Sequence, residues 1–271
     1  MHGFRIAVFA AAAGLALDSE AGVYIETQES IEPATEQAPV HRMYIQDGAA
    51  RFEHTHGEDP ARFVIFRDDK LYLVEPSRQR YTVLDHESAS AIGGAVDSAK
   101  DQMRKELARL KPEQRAMVEQ MMGDKAASML AESAPKAVIA ARETGEADEI
   151  GGVACRNFEI TRDGLRSEEL CVAPFSSVPG KEDLLELARR MRSLLQDLTE
   201  ALAQAGGDVE DLALMDRVQG FPVRIRRYDD SQALQSEVVL KTWREEAFPA
   251  ATFEVPADYT RRDLKSELAR K

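Results

Sequence analysis

The chain has 271 residues, 44% of them hydrophobic and 31% charged, and a formal charge of −13. That length allows one large domain or two small ones with a sizeable core. An acidic chain with scattered arginines lacks the basic stripe of a nucleic-acid binder, so no nucleic-acid partner is expected and the acidity reads as dispersal in water.

The first residues have the three-part layout of a secretory signal peptide. Met1 to Arg5 carries one fixed positive charge, and Ile6 to Leu17 carries none. Small residues, Ser19 and Ala21, stand three and one positions before the Ala21/Gly22 bond. Cleavage is expected there, which makes residues 1–21 a signal peptide and sends a chain of residues 22–271 to the periplasm. The apolar run falls short of the roughly 20 residues that cross a bilayer. No transmembrane segment is therefore expected in the mature chain. With no cysteine near the cleavage point, a lipid-modified terminus is not supported.

From Gly22 to about Asp85 the pattern predicts short antiparallel strands. Val23 to Thr27 is β-branched and aromatic, and a polar stretch through Ile31 to Ala34 reads as a loop. Val40 to Ile45 leads to a turn at Asp47-Gly48 and a return through Arg51 to Glu53. Phe63 to Phe66, a turn at Asp68-Asp69-Lys70, Leu71 to Val74 and Tyr81 to Leu84 continue the series. Such spacing, with turn residues between, suggests an antiparallel sheet or partial barrel.

The period then changes. Val96, Ala99, Met103, Leu107 and Leu110 recur three or four apart, which is one helical face. Pro112 ends that helix and suits the first turn of another carrying Met117, Met121 and Met122. Strand character returns at Ala137 to Ala140. Phe158 to Thr161 and Glu168 to Val172 flank Arg162-Asp163-Gly164, a strong hairpin signal. A hairpin centred on Asp163 sets Cys155 opposite Cys171, at a separation a disulfide can span. In an oxidising compartment such a pair is expected to be bridged. No C-x-x-C spacing marks it as redox-active.

A further helix is predicted after Pro179-Gly180, with Glu182 and Asp183 at its positive end. Leu184, Ala188, Met191, Leu195, Leu198 and Leu202 give it an apolar face, and Gly206-Gly207 ends it. A short helix through Val209 to Val218 and two closing strands, Phe221 to Ile225 and Leu234 to Trp243, follow. Strands before, between and after helices read as one α+β domain over 22–271, with helical insertions at about 90–133 and 181–218.

No phosphate-binding loop, dinucleotide fingerprint, nucleophile elbow or zinc-protease helix occurs. His54 and His56 could face the same side of a strand and bind a metal, but Glu53 to Pro60 reads as a polar loop, so both are expected to face solvent. No metal, cofactor or catalytic set is therefore expected, and the protein is read as no enzyme. The methionines on the middle helices have two readings. Met is adaptable enough to line an apolar ligand site, or the same residues simply pack a helix pair on the sheet. If a cavity exists, Met117, Met121, Leu195 and Leu198 are expected beside it, bounding an apolar pocket of about 300 Å³ or more.

The stretches Ala147-Asp148-Glu149-Ile150-Gly151-Gly152-Val153-Ala154-Cys155 and Leu110-Lys111-Pro112-Glu113-Gln114-Arg115-Ala116-Met117 resemble a bacterial exported family of domains of unknown function. So do Gly220-Phe221-Pro222-Val223 and the closing Phe253-Glu254-Val255-Pro256-Ala257-Asp258-Tyr259. That family is similar in architecture to LolA-type periplasmic lipoprotein carriers. The resemblance implies an open antiparallel half-barrel with helices over its concave face, and no functional residue is carried over from it. The partner is then expected to be a lipid or other apolar ligand; the alternative is an envelope protein met by an apolar face.

Overall fold

Two-residue turns set the pairing of the strands. Asp47-Gly48, Asp68-Asp69, Gly151-Gly152 and Asp163-Gly164 all have positive φ, the backbone that joins twisted antiparallel strands most tightly and that Asp and Gly tolerate best. The computed structural model describes residues 21–31, 38–55, 60–111, 113–114, 117, 138–204 and 218–263.

The strands are β1 (Gly22–Ile31), β2 (Val40–Gln46), β3 (Ala49–Thr55), β4 (Pro60–Arg67), β5 (Lys70–Glu75) and β6 (Arg80–Leu84). After helix α1 (His86–Arg109) come β7 (Ile139–Ile150), β8 (Val153–Arg162) and β9 (Leu165–Pro174). Helix α2 (Lys181–Gln204) precedes β10 (Gly220–Tyr228), β11 (Leu234–Glu246) and the short β12 (Thr260–Arg262). They form one 12-stranded sheet in the order β12-β6-β5-β4-β3-β2-β1-β11-β10-β9-β8-β7. Two meanders meet where β1 pairs with β11, and only β12, against β6, is parallel. The predicted antiparallel sheet with helices is thus present.

β1 lies near the middle of the sheet, and Val23, Tyr24 and Ile25 are buried on both of its faces. The main core joins Val23, Ile25, Ile45 and Phe66 of the sheet to Leu184, Leu187, Leu194 and Leu198 of α2. A second cluster, Phe63, Ile65, Val74 and Phe253, is completed by Phe248, Val255 and Tyr259 from the C-terminal segment. A third gathers Ile160, Leu170, Val172 and Val218.

Three expectations need correction. The strand expected from Ala137 to Ala140 begins at Ile139 and runs on to Ile150 as the long edge strand β7, an extent the sequence disguised because Arg142 to Glu149 are all exposed, four of them acidic, without alternation. Charge on an edge discourages pairing with another chain. The buried face of α2 is centred on Leu187, Leu194 and Leu198, while Ala188 is exposed and Leu195 half-buried. Leucines at 184, 185, 187, 194 and 195 make a stripe wider than one face. Docking chooses within it, through Arg190 on Asp69 at 3.1 Å and the Asp47 N–H donated to Asp183 at 3.0 Å.

The third correction concerns register. Cys155 and Cys171 are bonded, with Cα atoms 5.4 Å apart, but they are not directly opposed. Thr161 pairs with Arg166 and Ile160 with Glu168, so Ser167 is an extra residue and Cys171 faces Asn157. The two-residue turn Asp163-Gly164 pairs Arg162 with Leu165 and moves the centre past Asp163, the bulge slides the pairing one residue further, and the bridge spans a diagonal to Cys155, two residues along on the same face. α1 starts at His86, earlier than the expected insertion at 90, because the Asp85 side chain accepts from the Ser88 N–H and caps it. All of the predicted helix over Val209 to Val218 except Val218 itself, and most of the one after Pro112, lie outside the described residues.

Candidate functional site

α1 and α2 pack side by side over the sheet and leave a cleft of about 400 Å³ between them. Its floor is made of small buried residues, Ala89 and Gly93 of α1 and Ala201 of α2. Its rim is polar: His86, Ser90, Asp97, Asp197 and Glu200. At one end the helices are clasped, His86 Nδ1 to Asp197 Oδ2 at 2.5 Å, with Ser193 Oγ 3.5 Å from His86 Nε2.

The Ser193–His86–Asp197 grouping has the residue types of an acyl-transfer triad, but its setting serves that chemistry poorly. Ser193 and Asp197 sit in the interior of α2, where backbone N–H groups are already bonded within the helix. Among the described residues no pair of free N–H groups stands beside Ser193 to hold an oxyanion, the contribution such sites depend on most. The grouping reads as a clasp between helices. Sequence reasoning passed over it because nothing local links residues more than a hundred positions apart.

A second cleft, of about 420 Å³, lies at the turn end of β2–β5, bordered by Arg67, Asp68, Arg190, Phe248 and Phe253. Of the residues expected beside a cavity, Leu198 is packed into the core, Leu195 is half-buried and Met117 is 64% exposed. None of these three borders either cleft, and Met121 lies outside the described residues. Leu198 turns to the sheet because the core face of α2 is rotated toward Leu194. His54 is exposed, as expected, and His56 lies outside the described residues.

Two of the shifted carboxyls sit in hydrogen-bonded ion pairs on strands. Tyr24 Oη donates to Glu26 at 2.7 Å and Arg42 Nε donates to the same oxygen at 3.0 Å. These bonds, the Tyr24 one first, hold the Glu26 carboxyl below its usual range against the opposing effect of burial, and burial with Glu26 pushes the Tyr24 hydroxyl up. Burial would raise Glu169, but hydrogen bonds from Tyr228 and Arg166 outweigh it and its carboxyl is also depressed. The two carboxyls therefore stay charged near neutrality and are poorly matched to proton transfer at that pH. Among the described residues no three His, Cys, Asp or Glu side chains converge on a metal position, and no helix is long and apolar enough to cross a membrane. The disulfide points to an extracellular or periplasmic setting.

A family model described as a domain of unknown function (DUF4412) matches residues 99–259, more than half of the chain. A search of curated proteins finds no match. Among solved structures, an uncharacterized conserved protein from Thermus thermophilus is similar at 8% identity and TM-score 0.42, over 90% of this chain and 91% of that one. The Pseudomonas aeruginosa MucA/MucB complex matches at 11% identity and TM-score 0.38, over 88% of this chain and 56% of that one. A LolA superfamily protein from Nitrosomonas europaea matches at 9% identity and TM-score 0.26, over 87% of this chain and 90% of that one.

Proposed function

The chain belongs to the DUF4412 family of domains of unknown function, and we propose that it is a non-enzymatic periplasmic protein that binds an apolar ligand between α1 and α2. In this reading the open sheet is a half-barrel, the helices are its cover, and the ligand enters at the cleft between them.

The observation that carries the reading is the unsatisfied apolar face of α1. Of its 24 residues only Ser88, Ala89 and Gly93 are buried. Ile92, Val96 and Leu107 are half-buried and Met103 is 41% exposed. A helix of this length gains most of its stability by burying such a stripe. An apolar chain laid along it from the cleft would cover at least part of that surface. The acidic rim of Asp97, Asp197 and Glu200 disfavours an anionic head group, so the ligand is a neutral or cationic amphiphile.

Gly94 supplies the test. It lines the cleft, and a Cβ there meets nothing within 4 Å. Replacing glycine inside a helix by leucine also favours the helix by about 0.5–1 kcal/mol. Gly94→Leu should therefore keep the fold and fill the cleft. Saturable uptake of a fluorescent monoacylglycerol is expected for the native chain, with weaker uptake of a fluorescent fatty acid and at least ten-fold weaker binding by Gly94→Leu. Absence of saturable uptake by the native chain would turn the α1 stripe into a surface for a partner protein.

A further inference from the structure

We propose that His41 and His54 form an exchangeable site for a divalent transition-metal ion of the Zn²⁺ type, buttressed by Glu29. The site is independent of the α1–α2 cleft.

β2 and β3 pair so that His41 stands directly opposite His54. The ring centroids are 4.6 Å apart, and the two Nδ1 atoms face each other at 3.1 Å. Two imidazole nitrogens bound to one tetrahedral zinc, each at 2.0–2.1 Å, lie about 3.3 Å apart. The pair is therefore spaced close to the edge of a metal tetrahedron.

The other nitrogen of His41 completes the argument. His41 Nε2 lies 3.2 Å from Glu29 Oε2, and the Glu29 side chain is only 17% exposed. An ionised carboxylate only accepts, so the His41 proton sits on Nε2 and the Nδ1 lone pair is aimed at His54. Metal-bound histidines are oriented by this same carboxylate contact on the ring nitrogen away from the metal. Arg227 lies 3.9 Å from the other Glu29 oxygen and partly offsets its charge. In the metal-free state the His54 Nδ1–H donates to His41 Nδ1. Metal entry moves that proton to His54 Nε2, a change of tautomer with no net loss of a proton. Imidazole suits Zn²⁺, Cu²⁺ and Ni²⁺ better than Ca²⁺ or Mg²⁺. Two protein ligands leave the remaining positions to water, which makes the ion exchangeable.

The test is calorimetric titration of the full chain with Zn²⁺ at pH 7.5 in a non-chelating buffer. One ion per chain is expected. His41→Ala and His54→Ala should each weaken binding at least ten-fold, and Glu29→Gln by about ten-fold. His56→Ala and His86→Ala should bind as the native chain does. Unchanged binding by His41→Ala, or loss only in His56→Ala or His86→Ala, overturns the site. Should the His41 variant fail to fold, nitrogen-15 NMR of the native chain decides the matter. Zn²⁺ must shift both Nδ1 resonances and convert His54 from the Nδ1–H to the Nε2–H tautomer. Resonances that stay in place overturn the proposal.

Discussion

Gly180→Ala tests how α2 is seated on the sheet. Gly180 precedes α2, has φ +63°, and a Cβ added there would collide with Val23 Cγ2. Val23 is fully buried on the central strand β1, so it has nowhere to retreat. Holding alanine in left-handed backbone costs roughly 1–2 kcal/mol, and overpacking a filled core about 1–3 kcal/mol. The sum, about 2–5 kcal/mol, corresponds to a fall in Tm of roughly 5–15 °C for a domain of this size. The Gly180 N–H, donated to Glu245 Oε1 at 3.1 Å, is untouched by the change, so the loss isolates backbone and packing. Val23→Ala alone should cost about 1.5–2.5 kcal/mol in lost burial. Combined with Gly180→Ala it removes the clash, so the double variant should be about 1–3 kcal/mol less destabilised than the sum of the two singles. Urea unfolding of all four proteins closes the cycle. Additivity within about 0.5 kcal/mol, or a Gly180→Ala variant as stable as the native chain, would refute the seating of α2 against β1.

Replacing Cys155 and Cys171 together by Ala should lower stability by about 3 kcal/mol on the chain-entropy account of a loop of this size. Free thiols in the unfolded, unreduced native chain would contradict the bridge. Glu26→Gln should lower Tm at pH 7, where the depressed carboxylate is ionised and bonded to Tyr24 and Arg42. A carboxyl whose folded pKa is depressed contributes stability above its unfolded pKa and loses it as pH falls through the folded one. The gap between native and variant should therefore close below about pH 4; a gap constant from pH 7 to pH 3 would refute the linkage. Mass spectrometry of the exported chain should find Gly22 at the N-terminus, and an intact Met1 on that material would end the cleavage proposal.

Much of the sheet was readable because strands with one buried face and Asp-Gly turns leave local marks. Val23 to Thr27 and Phe63 to Phe66 are compact β-branched and aromatic runs, and Asp163-Gly164 carries the turn chemistry in adjacent residues. Only the start of β7 was readable, at Ala137 to Ala140, since an edge strand pairs on one side only and the charged residues that follow need no core. The α1–α2 cleft and the His41–His54 pair were equally hidden. His41 was overlooked because a histidine within a strand is ordinary, and its significance depends on a cross-strand neighbour thirteen residues away.

The sequence by itself determined the existence of most of the strands, the two amphipathic helices and the pairing of the only two cysteines, because each follows from local propensity or from there being no other partner. Tertiary structure alone decided which leucines of α2 meet the sheet, since its stripe is wider than one face and the Arg190–Asp69 ion pair and the Asp47 N–H donated to Asp183 select within it. It also decided the register of the Cys hairpin, where one extra residue, Ser167, slides Cys171 opposite Asn157. Local pattern specifies that a hairpin forms. The bulge that sets its register depends on how β9 is held between β8 and β10, and no short window of sequence contains that contact.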